Sequence, residues 1–300
     1  MEFLETVAEN LFLKRPENKI SLLLNALKSM GRTIIFLFIV CLLSLQRASS
    51  QDSVWALNQF QKIQVRESAS QTIIKHTYYT IGYFEKYKIP LWTYYSETRE
   101  MILQCLLPRK GSFRKDPLTT LMQANKDDYA MPFEKGHLVP CEPMTFNEEA
   151  MKETFYYTNC APQYEKVNSG RWKTLEKLVN NWTIDNLELM VFTGNVVSDS
   201  SARRGPHQIM IPDYCFKIIL DNTEPGVKAI AFLVPNKDQK LADLKNYVTS
   251  IDSIEQLTGF DFFADIPEEE QATFESVSDV SLWDWKVGKH DGLFKELKQK

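Results

Sequence analysis

The stretch from Glu134 to Glu176 constrains this chain more than any other, because it prescribes a strand, a loop and a helix in fixed order. Phe133 to Val139 reads as a short strand with His137 on it or beside it. Phe155-Tyr156-Tyr157 then leads into Thr158-Asn159-Cys160-Ala161-Pro162-Gln163. Trp172, Leu175, Val179 and Trp182 recur at helical spacing, which predicts an amphipathic helix over Arg171 to Asn181. At about 100° per residue, Asn168 and Glu176 would stand about 80° apart on such a helix.

The residue types at these joints form a chemical set. A histidine supplies a base that titrates near neutral pH. Asn159 and Asn168 offer neutral oxygen ligands, and Glu176 can hold the waters of a bound cation. A hard cation such as Mg²⁺ takes oxygen ligands and keeps several of its waters. A neutral ligand also leaves the ion's charge available to a phosphate. Each residue has an ordinary reading too. A lone histidine is more often structural, an asparagine before a helix is commonly its N-cap, and a helix carboxylate is commonly solvated. Order and spacing lift the set above those readings.

With 300 residues the chain can bury a sizeable core, as one large domain or two small ones. Its net charge is −4 at neutral pH, and it grows more acidic without residues 1–50, which hold six basic and four acidic side chains. That balance argues against bulk electrostatic capture of nucleic acid and calls for a local basic patch. Arg109-Lys110, Arg114-Lys115, Lys135, Lys166, Arg171-Lys173 and Arg203-Arg204 are the candidates, although any single pair is ordinarily solvated surface.

Ile34 to Leu45 is an apolar run shorter than the roughly 20 residues a membrane-spanning helix needs. Arg32 before it and Ala48-Ser49-Ser50 after it give the layout of a secretory signal peptide, with Met30 as an alternative start. The expectation is a secreted protein with no stable membrane span after processing. The alternative is a mitochondrial presequence, against which Glu2, Glu5, Glu9 and Glu17 count. If Cys41 leaves with the signal, Cys105, Cys141, Cys160 and Cys215 permit two disulfides, and Cys141 and Cys160 flank the polar elements. Buried free thiols are the other reading. Asn181-Trp182-Thr183 is an N-glycosylation sequon, usable only on export.

No internal repeat and no Gly/Pro/Ser-rich linker divides the chain after residue 70. Leu91–Tyr95, Met101–Leu107, Met190–Thr193, Cys215–Leu220 and Ala229–Val234 read as strands, and Leu241–Leu257 as a helix. Past the acidic Glu268-Glu269-Glu270, Trp283 and Trp285 are suited to dock on the domain. The expected layout is an extension over 1–50, a main domain over 51–275 and a tail over 276–300.

The polar elements resemble those of the DNA/RNA non-specific endonucleases of the ββα-metal (His-Me finger) class, which includes mitochondrial endonuclease G. That family carries Asp-Arg-Gly-His, then Asn-x-x-Pro-Gln, then Asn-x-x-x-Trp-x-x-Leu-Glu. Here the elements are Glu134-Lys135-Gly136-His137, Asn159-Cys160-Ala161-Pro162-Gln163 and Asn168 through Trp172 to Leu175-Glu176. The first departs at two positions while keeping both charge signs. The resemblance implies an α+β fold with a central, mainly antiparallel sheet flanked by helices. It implies an Mg²⁺-dependent endonuclease acting on DNA and RNA, with Mn²⁺ able to substitute for Mg²⁺ and homodimerisation left open. In that reading His137 is the general base, Asn168 the metal ligand, Glu176 the holder of its waters, and Asn159 an orienting group. Lys135 replaces the family's arginine, offering a point charge instead of a planar fork. Glu134 adds one methylene to the family's aspartate, enough to shift what it orients by about an ångström. Lys110, Arg114 and Arg171 are expected to contact substrate phosphate. A catalytically weakened nucleic-acid-binding protein of the same fold is the alternative, with a structural or adhesion role behind it.

Overall fold

The long apolar runs pair with one another. The computed structural model describes residues 64–65, 71–223, 227–240, 242–264 and 266–297. All lie in the second of two units into which the chain divides, 1–58 and 59–300. The expected signal segment over 34–45, its cleavage site and Cys41 fall outside the described residues. Among those residues, no helix is long and apolar enough to cross a membrane.

The main strands are β1 (Thr72–Lys75), β2 (Thr80–Phe84), β3 (Ile89–Thr98), β4 (Phe133–His137), β5 (Cys160–Tyr164), β6 (Glu188–Val196), β7 (Tyr214–Asp221), β8 (Lys228–Pro235) and β9 (Val248–Thr249). Seven of them form one sheet in the order β9-β8-β7-β6-β3-β2-β1, and every neighbouring pair is antiparallel. β4 and β5 form a separate antiparallel pair. The helices used below are α1 (Arg99–Leu103), α2 (Glu148–Glu153), α3 (Lys173–Asn186) and α4 (Ile251–Thr258). The fold is α+β.

The central strands read as unbroken apolar runs because both faces of the sheet are covered. Phe192, Phe216 and Ile218 pack on one side with Ile251 and Ile254 of α4 and with Phe260, Phe262 and Phe263. Val191, Cys215, Ile219 and Phe232 pack on the other with Trp172, Leu175, Val179 and Trp182. The helical stripe read from the sequence is therefore the buried stripe of α3. Trp283 joins that second core with 4% of its surface exposed. Its ring lies 4.8 Å from that of Trp182, and Trp182 Nε1 donates to the Asp284 carbonyl at 2.6 Å.

Two segments differ from the sequence expectation. Met101–Leu107 is not a strand: β3 runs directly into α1, where the Thr98 hydroxyl caps the helix by accepting from Met101 N–H. Arg99 to Leu103 are good helix formers, and with no Gly or Pro at the junction the sequence does not punctuate the change. Leu241–Leu257 is not one helix. Leu241 is outside the described residues, Leu244–Tyr247 form a 3₁₀ turn, and Ser250 caps α4, which ends on the left-handed Gly259.

The docked tail should contribute to stability. Trp283→Ala is expected to cost about 3 kcal/mol, the low end for emptying a buried tryptophan site, read by urea unfolding. An unchanged midpoint would show that the tail packs without contributing.

Candidate active site

The β4–β5 hairpin and α3 bring the sequence motif together, and asparagine amides fasten it. Gly136 opposes Ala161 in the ladder, and a Cβ there would meet the Gln163 side chain at 2.3 Å, so a larger residue before the histidine would have to displace that side chain from its bond to Cys215. Beyond His137 the ladder is continued by a side chain. Asn159 Oδ1 accepts from Val139 N–H at 3.0 Å, and its Nδ2 donates to the Val139 and Thr154 carbonyls, each at 3.0 Å. Its amide is wholly engaged with backbone and fully buried. Asn159 therefore closes the neck of the loop behind His137 and is a positioning residue.

Side chains alternate along β4. Glu134 turns to the segment that enters α3, where its Oε2 accepts from Asn168 Nδ2 at 2.7 Å and from Ser169 Oγ at 2.9 Å. A carboxylate only accepts, so the donor end of the Asn168 amide faces Glu134 and its Oδ1 is the end that could hold a cation. Asn168 caps no helix. It lies in a π turn over Val167–Trp172 that Gly170 breaks with φ −100° and ψ −116°, and α3 begins only at Lys173. The expected 80° helical relation between Asn168 and Glu176 consequently does not hold, because a non-helical residue separates them.

His137 and Lys135 turn to the other side of β4. The His137 ring lies 4.7 Å from that of Phe113 and 5.2 Å from that of Phe155, and its Nε2 is buried with no hydrogen-bond partner. Burial, and after it the charge of Arg109, push the imidazole down to about 3. It is thus neutral at physiological pH and able to accept a proton. Lys135 Nζ stands 5.9 Å over the Phe113 ring and 5.6 Å over Tyr129. Glu176, half-buried on the first turn of α3, is pushed up by burial and drawn back down first by Lys217.

The expected phosphate contacts are redistributed. Arg114 stacks on Tyr156 at 4.5 Å and donates to the Lys152 carbonyl at 2.8 Å, so its guanidinium is already engaged. Lys110 is exposed, and its charge acts on Glu148. Arg171 is half-buried in the π turn. Arg109, named in the sequence only within a basic pair, is the cation whose charge acts on both His137 and Glu176. Its position could not be read from an exposed loop sequence. Phe113 gave no signal either.

The profile described as DNA/RNA non-specific endonuclease matches residues 57–269. The chain belongs to that family. Among its relatives, "Nuclease EXOG, mitochondrial" of Danio rerio is 25% identical over 227 residues, covering 70% of this chain and 66% of the relative. "Nuclease 1, mitochondrial" of Schizosaccharomyces pombe is 27% identical over 221 residues, with coverages of 65% and 66%. Human "Endonuclease G, mitochondrial" is 26% identical over 172 residues, with coverages of 53% and 58%. The chain thus spans just under two thirds of the length of the first two and less of the third. A chain of the crystal structure of the EndoG/EndoGI complex superposes with a TM-score of 0.61 at 21% identity, covering 66% of this chain and 88% of that one. It has the same fold.

Within this endonuclease fold the permitted disulfides do not form. Cys105, Cys141, Cys160 and Cys215 are all free thiols. Cys160 lies 3.2 Å from the Tyr129 hydroxyl, and Cys215 accepts from Gln163 at 3.2 Å. The Cys105 thiol donates to the Met101 and Pro143 carbonyls. The sequon is closed as well: Asn181 is buried under the tail and donates to the Lys286 carbonyl at 3.2 Å.

The buried imidazole predicts a pH dependence of stability. Unfolded, His137 titrates near 6.5; folded, near 3. Between these values the unfolded chain binds the extra proton, so the stabilisation is complete above the first value and is lost as pH falls toward the second. Urea unfolding should show wild type losing more stability than His137→Gln between about pH 7 and about pH 4. Equal losses would contradict the buried neutral imidazole.

Proposed function

We propose that the chain is a divalent-cation-dependent endonuclease that hydrolyses DNA and RNA with little sequence preference. The observation that carries this reading is the Glu134–Asn168 hydrogen bond at 2.7 Å. It joins the histidine strand to the metal-side segment and presents a neutral oxygen outward. The donor set fits a hard ion: Asn168 Oδ1 would hold it directly, and the Glu176 carboxylate would accept hydrogen bonds from its waters. Bound there, Mg²⁺ or Mn²⁺ would supply charge neutralisation at a phosphate.

The protein's own groups do the rest. Because Nε2 of His137 is sealed, Nδ1 is the nitrogen that takes the proton from an attacking water. A polyanion lying beside the ring favours the protonated imidazole, so the low affinity of the free protein rises when substrate binds. Lys135 and Arg109 supply positive charge for the phosphate, with Lys110 and Arg171 further out and Arg114 bracing the loop. Asn159 keeps the strand end in register. The weakened-binder alternative is disfavoured because Glu134, despite its extra methylene, still reaches Asn168, and Lys135 retains its charge.

The named relatives are mitochondrial. The free thiols require no oxidising compartment, and the buried sequon needs no secretory route. These points favour the mitochondrial alternative over secretion for the extension, with the main domain over 51–275. The mature N-terminus, determined by mass spectrometry on fractionated cells, decides between them.

Purified protein should nick plasmid and degrade RNA in Mg²⁺, and EDTA should stop both. His137→Ala should lower the rate by about 10²–10⁴ while melting as a folded protein. Wild-type cutting by that variant would remove His137 from the chemistry.

A further inference from the structure

The face of β4 that carries His137 extends past Lys135 to a further cation. Phe133, Lys135 and His137 share one side of the strand, and the Arg204 guanidinium stands 5.0 Å over the Phe133 ring. Its Nη2 donates to the Met131 carbonyl at 2.8 Å. Two residues of strand separate Phe133 from Lys135, a step of about 7 Å at the usual strand rise. That step is comparable with the one between neighbouring phosphates on a strand of nucleic acid.

Arg204 belongs to a hairpin, Arg203–Arg204 paired with Ile209–Met210, whose turn is pinned to the segment leading into β4. His207 N–H donates to Asp128 Oδ1 at 2.9 Å, and His207 Nδ1 lies 2.8 Å from Asp128 Oδ2. Gly205 sits at φ +71°, where a Cβ would run into Asp128, so the turn is built for glycine. Asp128 is fully buried, and its Oδ2 also accepts from Asn125 N–H at 2.8 Å. That carboxylate is occupied in fastening the hairpin and does not neutralise Arg204. The half-buried Arg204 has five N–H donors, and its partners among the described residues are a carbonyl and a ring face. Its charge and most of its fork remain for an outside acceptor, in an orientation already fixed, which lowers the cost of binding one.

We propose that Arg204 forms a second phosphate subsite of the nuclease site, gripping the phosphate next to the one held at Lys135 on the same strand of DNA or RNA. This deepens the nuclease reading given above and rests on it. A phosphate presents paired oxygens to a planar fork, and phosphate contacts set register without reading sequence. The neighbouring Arg203 supplies the contrast. Its Nη1 donates to the Lys86 and Gln208 carbonyls, and adjacent strand residues leave from opposite faces.

The test is binding of a short fluorescent single-stranded DNA to the full-length chain in EDTA, by anisotropy across a salt series. The KM for plasmid in Mg²⁺ over the same series and thermal melting run beside it. Arg204→Gln, which keeps an N–H for the Met131 carbonyl, should bind about tenfold more weakly, the scale of one hydrogen bond to a charged group. Its slope of log affinity against log salt should be shallower by about 0.7, the share of one phosphate contact on a single strand. KM should rise likewise with kcat little changed, as loss of uniform binding requires. Arg204→Lys, with the charge but not the fork, should keep the slope and recover only part of the affinity. Arg203→Ala removes the same charge from the same hairpin and should leave slope and KM as in wild type. A wild-type slope and KM in folded Arg204→Gln, or an equal change in Arg203→Ala, would reduce Arg204 to a brace of the hairpin. Should Arg204→Gln fail to fold, Arg204→Lys decides, and wild-type affinity and KM without the fork would overturn the subsite. If the wild-type chain does not cut plasmid in Mg²⁺ the nuclease reading is lost; if it cuts and Arg204→Gln matches it throughout, only this proposal falls.

Discussion

The hydrogen bond between Glu134 and Asn168 is the contact on which the site depends. Glu134 belongs to a strand pair that is not part of the main sheet, and Asn168 lies in an irregular turn ahead of a helix. Neither segment has a regular ladder to the other. Two charge-assisted hydrogen bonds to the Glu134 carboxylate, from Asn168 and Ser169, each stronger than a neutral one, set their relation, and the first sets the direction of the asparagine oxygen. Asn159 does the equivalent work inside the hairpin by extending the ladder past His137 with its own amide.

The sheet makes such fine placement workable. Covered on both faces, it is a rigid base from which α3 projects its first turn. It also carries the buried charges, Glu97 on β3 and Lys217 on β7. Glu97 is pushed up to about 7 by burial.

Much of this was legible in the sequence, for identifiable reasons. The apolar stripe of α3 and the runs in β6, β7 and β8 are set by burial, and burial leaves a periodic trace. Asn168, Glu134 and His137 were legible because their spacing carries the motif. What escaped depends on contacts distant in sequence. Arg109 acts on the site from a loop with no motif, Phe113 is defined only by stacking on His137, and Lys217 looks like any lysine between apolar residues. The cysteines and the sequon left two readings open because both patterns are read without knowing what covers them. Met101–Leu107 misled because a single threonine cap, not a turn, ends the preceding strand.

A second oxygen-rich place exists: Asp252, Glu255 and Glu275 bring carboxylate oxygens within 4.8 Å of one another, on α4 and the segment after it. The most direct measurement is therefore a crystal structure of the wild-type chain soaked in Mn²⁺, with the ion located by anomalous scattering. One strong peak is expected at about 2.1 Å from Asn168 Oδ1, a normal inner-sphere distance, with Glu176 contacting its waters and His137 on the facing side. A peak at the Asp252–Glu255–Glu275 cluster, with none at Asn168, would contradict the assignment of Asn168 as the metal ligand.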